Sequence, residues 1–80
     1  MVIISIRMTE KTLLKKYGQR IKQLRLEKGL SQQELAAVLD IEKSSLSRLE
    51  AGKKNSKLYT LYKVAKALEV PLSKLLDISE

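Results

Sequence analysis

The sequence predicts an all-α domain, a bundle of five short helices, on three observations. The 80 residues include one Pro and three Gly, so few positions interrupt a helix. The apolar supply is aliphatic: 44% of residues are hydrophobic but only 4% aromatic, with neither Trp nor Phe, and Leu and Ala favour helix. From Thr9 onward the apolar residues recur at three- and four-residue steps, which is the helical period. The length suits one domain, read as residues 9–80 behind a separate short piece, residues 1–8.

In that first piece Val2, Ile3, Ile4 and Ile6 are β-branched, and the segment reads either as a short strand or as a weakly held tail. Met8, followed by Thr9 and Glu10, also reads as an alternative start. The first helix places Leu13, Leu14, Tyr17, Ile21, Leu24 and Leu26 on an apolar face opposite Lys and Arg. Gly29 ends it where a left-handed residue is wanted. Ser31 and Glu34 form a capping box, hydroxyl and carboxylate each satisfying a free backbone N–H, and Leu35, Ala36 and Leu39 face inward behind them. Asp40 interrupts, and Ile41 restarts the pattern after a turn of about three residues, a usual helix–helix link. The third helix runs through Leu46 and Leu49 to Gly52. The basic loop Lys53, Lys54, Asn55, Ser56 and Lys57 follows. Leu58, Leu61, Val64, Ala65 and Leu68 mark a fourth helix, and Pro71, tolerated in a first turn, opens a fifth with Leu72, Leu75 and Leu76 on one side.

Composition narrows the function. There is no Cys and no His, so a disulfide framework is excluded and a metal site would need carboxylates alone; no metal and no cofactor are expected. Nothing activates a serine nucleophile and no Gly-rich phosphate loop is present, which argues against an enzyme; no small-molecule ligand is evident. Sixteen Lys and Arg against nine Asp and Glu leave a net charge of +7. A compact body so basic attracts polyanions, nucleic acid foremost, although an acidic membrane surface or solubility accounts for the same number. No apolar run reaches the roughly 18 residues of a membrane span, and the opening segment lacks the basic lead of a signal peptide, so the chain reads as cytosolic, with no membrane partner.

Two short helices joined by a tight turn, with Ala36 and Ala37 keeping the second helix close to the third, let that third helix project outward as major-groove entry requires. Its outward residues are Glu42, Lys43, Ser44, Ser47 and Arg48, beside inward Leu46 and Leu49.

Here the stretch from Tyr17 to Leu76 resembles the Cro/repressor helix-turn-helix family of phage repressors and bacterial regulators. The resemblance is carried by Gly18 to Ile21, Leu24 and Arg25, Lys28 to Gln32, Glu34 to Ala36, Leu46 to Glu50, Gly52 and Lys53, and Leu58, Leu61 and Val64 to Leu68. It implies a lambda-repressor-like bundle with a short N-terminal extension. The implied function is a sequence-specific transcriptional regulator that binds double-stranded DNA at a palindromic operator as a homodimer. Lys43, Ser44, Ser47 and Arg48 then read bases, Arg48 with a fork suited to guanine O6 and N7. Gln32 contacts a phosphate and braces the recognition helix, while Lys53, Lys54 and Asn55 meet the backbone and fix register. Arg25 and Glu50 match a buried ion pair of the family and are assigned to architecture.

Three positions depart from the family pattern: Asp40 stands where Gly is usual in the turn, Glu42 where Ser or Thr caps the recognition helix, and Ser56 where Pro is usual. Glu42 opposes phosphate but suits a cytosine amino group as acceptor. The surplus apolar face of Leu72, Leu75 and Leu76 is the expected dimer contact, with the Val-Ile segment near the amino terminus as its rival. The competing reading is a protein-interaction module or antitoxin on the same fold, which needs an exposed apolar patch.

Overall fold

The computed structural model describes residues 8–78. The strand-or-tail reading of residues 1–8 therefore falls, Met8 apart, outside the described residues. Five helices follow: α1 (Glu10–Glu27), α2 (Gln32–Leu39), α3 (Lys43–Glu50), α4 (Leu58–Ala67) and α5 (Leu72–Leu75). Their contacts close a ring, α1 on α3, α3 on α2, α2 on α4, α4 on α5 and α5 back on α1. Ile21, Leu35, Leu46, Val64 and Leu75, one from each helix, are fully buried at its centre.

The helix ends follow from local chemistry. Thr9 caps α1 by accepting from the Thr12 N–H, and Gly29 leaves the helix at φ +78°. Ser31 and Glu34 form the reciprocal capping box, and the two hydrogen bonds from Ser31 hold the Glu34 carboxyl below the usual range. Asp40 takes the left-handed conformation, φ 56° and ψ 45°, which a short polar side chain tolerates better than most. One carbonyl in the last turn of α5 is met from α1: Arg20 Nε and Nη2 both donate to Lys74 O at 3.2 Å.

Four residues lie elsewhere than their spacing implies. Leu26 is exposed because two residues beyond buried Leu24 it points to nearly the opposite side of α1. Leu13 shares the inward side but sits a turn beyond the bundle and is exposed at 44%. Ala36 is buried while Ala37 faces solvent, so one small residue, not two, sets the approach of α2 to α3. Leu58, the first residue of α4, is exposed at 69%.

The expected dimer face also needs correction. Leu75 is fully buried within the monomer, and Leu72 packs half-buried against the same core. Leu75 closes the ring between α4 and α1 and offers nothing to a second chain. Of the three leucines, Leu76 alone remains exposed, at 42%.

Tyr17 is buried with its hydroxyl unpartnered, and burial raises its pKa. An unsatisfied buried hydroxyl opposes folding, so Tyr17→Phe is expected to leave stability at pH 8 unchanged or raise it by up to about 1 kcal/mol. The sign with pH follows. The fold favours the neutral phenol, so its contribution is complete below the ordinary value of about 10 and is lost progressively as pH climbs above it. Urea midpoints at neutral and alkaline pH should therefore fall further for the parent than for Tyr17→Phe. Equal falls would mean that Tyr17 ionises as freely folded as unfolded.

Candidate nucleic-acid interface

The third helix, α3, is held from behind by a close contact and a polar knot. At Gly18 of α1, a Cβ would lie 2.5 Å from the carbonyl oxygens of both Leu49 and Glu50, so glycine alone admits the end of α3. About two turns further along α1, Arg25 forms a buried pair with Glu50 itself. Arg25 Nε donates to Glu50 Oε2 at 2.7 Å and Arg25 Nη2 to Glu50 Oε1 at 3.1 Å. The remaining arm of the guanidinium, Nη1, donates to Leu30 O at 2.8 Å. Gln32 Nε2, from the first turn of α2, donates to Glu50 Oε1 at 3.0 Å. One glutamate thus ties α3 to α1 and α2 together, and Arg25 adds the loop between them.

That knot fixes which face α3 presents. Leu46 and Leu49 are buried, while Lys43, Ser44, Ser47 and Arg48 are exposed together on the outward side. Glu42 is the N-cap without a side-chain cap bond; instead its carboxylate accepts weakly from Ser44 Oγ at 3.4 Å, an exposed contact on the same face. Gln32 sits at the edge of this face. A primary amide has two N–H donors, so with one given to Glu50 the other remains for a phosphate.

Beside α3 runs a cleft of about 330 Å³ at the start of α4, lined by Lys54, Asn55, Lys57, Lys63, Ser45 and Thr60 among others. The first helical N–H acceptor there is Lys57 O, which receives the Leu61 N–H at 3.2 Å. The amides of Leu58, Tyr59 and Thr60 precede it, and no side chain caps them. Lys54, Lys57 and Lys63 share this hollow with the hydroxyl residues Ser45, Ser56 and Thr60 and the apolar Leu39, Ile41 and Leu49, and with the uncapped first turn of α4 beside it the combination suits an anion such as phosphate. Lys54 and Asn55, expected beside the groove, line this cleft; Lys53 does not. Sequence reasoning misses Lys57, Lys63, Ser45 and Thr60. Lys57 is visible as part of the basic run, but nothing local marks the other three. Among the described residues no cluster of acidic side chains is placed to hold a metal ion, and no helix is long and apolar enough to cross a membrane.

Residues 21–75 match a family model described as helix-turn-helix, a span that contains α2, the turn, α3 and the cleft. The chain belongs to the Cro/repressor type of helix-turn-helix protein. Among its helix-turn-helix relatives, control protein C.MunI of a Mycoplasma species is 39% identical over 61 residues, covering 75% of this chain and 82% of the relative. The restriction-modification controller C.AhdI of Aeromonas hydrophila superposes with a TM-score of 0.75 at 39% identity, covering 78% of this chain and 94% of that one. The biofilm regulator SinR, solved in complex with DNA, superposes at 0.71 and 45% identity, covering 76% and 98%.

Proposed function

We propose that this helix-turn-helix protein is a transcriptional regulator that places α3 in the major groove of a palindromic operator, two copies to a site. The observation that carries the reading is the pairing of two surfaces on one rigid support. The polar face of Lys43, Ser44, Ser47 and Arg48 is held by the Arg25–Glu50–Gln32 knot, and the lysine cleft lies beside it. The first has the donors and acceptors that base edges require; the second has the cationic, sequence-blind character of a backbone contact. Relatives named as control proteins and a regulator solved on DNA support it. Two copies related by a two-fold axis read half-sites about 34 Å apart, one turn of duplex.

Selection of bound sequences from random duplex DNA tests this directly. It is expected to return an inverted repeat with half-site centres about 10 base pairs apart; recovery of no common sequence would overturn the reading. Arg48→Ala adds the residue assignment. Its loss is expected to weaken binding by about 1–3 kcal/mol and to relax preference at one base pair of each half-site. A fall in affinity that is the same for every operator variant would make Arg48 a phosphate contact.

A further inference from the structure

We infer that an acidic amphipathic helix of another protein docks between α2 and α4, seating an apolar side chain in the hollow there and its carboxylates on Lys63 and Lys66. The hollow, about 330 Å³, is lined by Val38 and Leu39 of α2 and by Tyr62, Lys63, Lys66 and Ala67 of α4. Val38 and Tyr62 are exposed, and so is Tyr59, one turn before Tyr62. Tyr59, Tyr62, Lys63 and Lys66 fall on the side of α4 away from buried Val64 and Leu68. The core of the single chain therefore leaves both rings facing solvent, in a patch of aromatic and aliphatic surface beside two cations.

The rings set the cations in place. Those of Tyr59 and Tyr62 stack with centroids 6.4 Å apart and planes 20° from parallel. Lys63 Nζ lies 5.5 Å from the centre of the Tyr59 ring, and Lys66 Nζ 6.0 Å from that of Tyr62. The ring quadrupole attracts an ammonium at this distance, so two flexible side chains lose less freedom when a carboxylate arrives. No acidic side chain lines the hollow. None occurs within α4; Glu69, just beyond it, accepts from Lys28 Nζ at 2.7 Å, and Glu34 of α2 accepts the Ser31 N–H.

Charge and shape select the occupant. A second copy of this basic chain repels across the two lysines. A duplex brings phosphates but no apolar group for the hollow. A single strand stacks its bases on open ring faces, whereas these rings lie against each other and beneath ammonium groups. A lipid surface asks for a broad apolar face, and here the apolar ground is one hollow. An acidic helix with a leucine anchor meets both requirements, as helix-in-groove contacts do.

Lys63 also lines the cleft beside α3, so the test turns on Tyr62 and Lys66, which do not. A synthetic helical peptide of glutamates with two leucines one turn apart is titrated by fluorescence anisotropy against the full chain. The proteins are the parent, Tyr62→Ser, Lys66→Gln and, for an equal loss of charge on α1, Lys22→Gln. All three positions are exposed, and melting by circular dichroism verifies that the fold is kept. The parent and Lys22→Gln are expected to bind alike. Tyr62→Ser and Lys66→Gln are each expected to bind about tenfold more weakly, and the parent to lose as much when alanines replace the peptide's leucines. Amide shifts of the parent on adding peptide should centre on Val38, Tyr62 and Ala67. Shifts centred on Lys54 and Lys57, equal weakening by Lys22→Gln, or indifference to the leucines would mean a response to bulk charge and overturn the inference. So would a parent that binds no peptide at about a hundred micromolar. If the Tyr62 and Lys66 variants keep the peptide but lose operator duplex, a single-stranded oligonucleotide or phosphatidylserine vesicles, the face belongs to that ligand and the inference fails.

Discussion

Arg25→Ala is expected to destabilise the protein by about 3–5 kcal/mol, because Glu50 then remains buried without its cation. Both side chains of the pair are almost wholly enclosed, 6% and 3% exposed, so water cannot take the place of the guanidinium. The loss reaches beyond the pair itself, since Leu30 O also loses a donor. Arg25→Lys is expected to rescue little: an ammonium reaches one acceptor, whereas the planar fork serves Glu50 through two nitrogens and Leu30 through a third. The matched apolar double change, Arg25→Met with Glu50→Leu, is expected to recover much of the stability yet to weaken operator binding, because Gln32 loses the acceptor that holds it at the edge of α3. Urea denaturation of the four proteins, with binding measured where each is folded, separates the two effects. If Arg25→Ala unfolds at the parent's urea midpoint, the pair carries no architectural role.

The parts of this molecule that are legible in its sequence are those written in a few consecutive residues. The Ser31–Glu34 box, the glycine beyond α1 and the left-handed Asp40 need only nearby atoms, and each sits where its chemistry places it. Periodicity carries the helices but not their depth. Leu26 and Leu58 fit a three-four pattern, but the pattern fixes neither where the burying neighbour ends nor which member begins the helix. Leu75 misleads for a related reason: α5 is four residues long, too short for a periodic face to separate core from surface. The Arg25–Glu50 pair spans 25 positions and is legible only through family resemblance, because no local rule links an arginine in one helix with a glutamate two helices on. The lysine-lined cleft is harder still. Ser45 and Thr60 are ordinary residues of their own helices and line one cleft because the fold brings the start of α4 beside α3, a fact of packing and not of any segment.

That cleft carries the other large expected effect. Changing Lys54, Lys57 and Lys63 together to Gln is expected to flatten the dependence of log K on log salt by about 0.9 for each phosphate no longer neutralised. Three such phosphates in each of two half-sites would therefore lower the slope by roughly five, with affinity falling by several orders of magnitude at low salt. The sequence preference should stay as it is in the parent, because backbone contacts position the protein without reading bases. Lys53→Gln alone is a sharper comparison. Its side chain lies outside the cleft, so it should lower the slope by less than Lys57→Gln, although Lys53 belongs to the same basic run in the sequence. Binding titrations across a salt series on one operator and one scrambled duplex supply both readouts. A triple variant with the parent's slope would remove the cleft from the interface. A triple variant whose base preference shifts would mean that these lysines reach the bases, and that the division between the α3 face and the cleft is drawn in the wrong place.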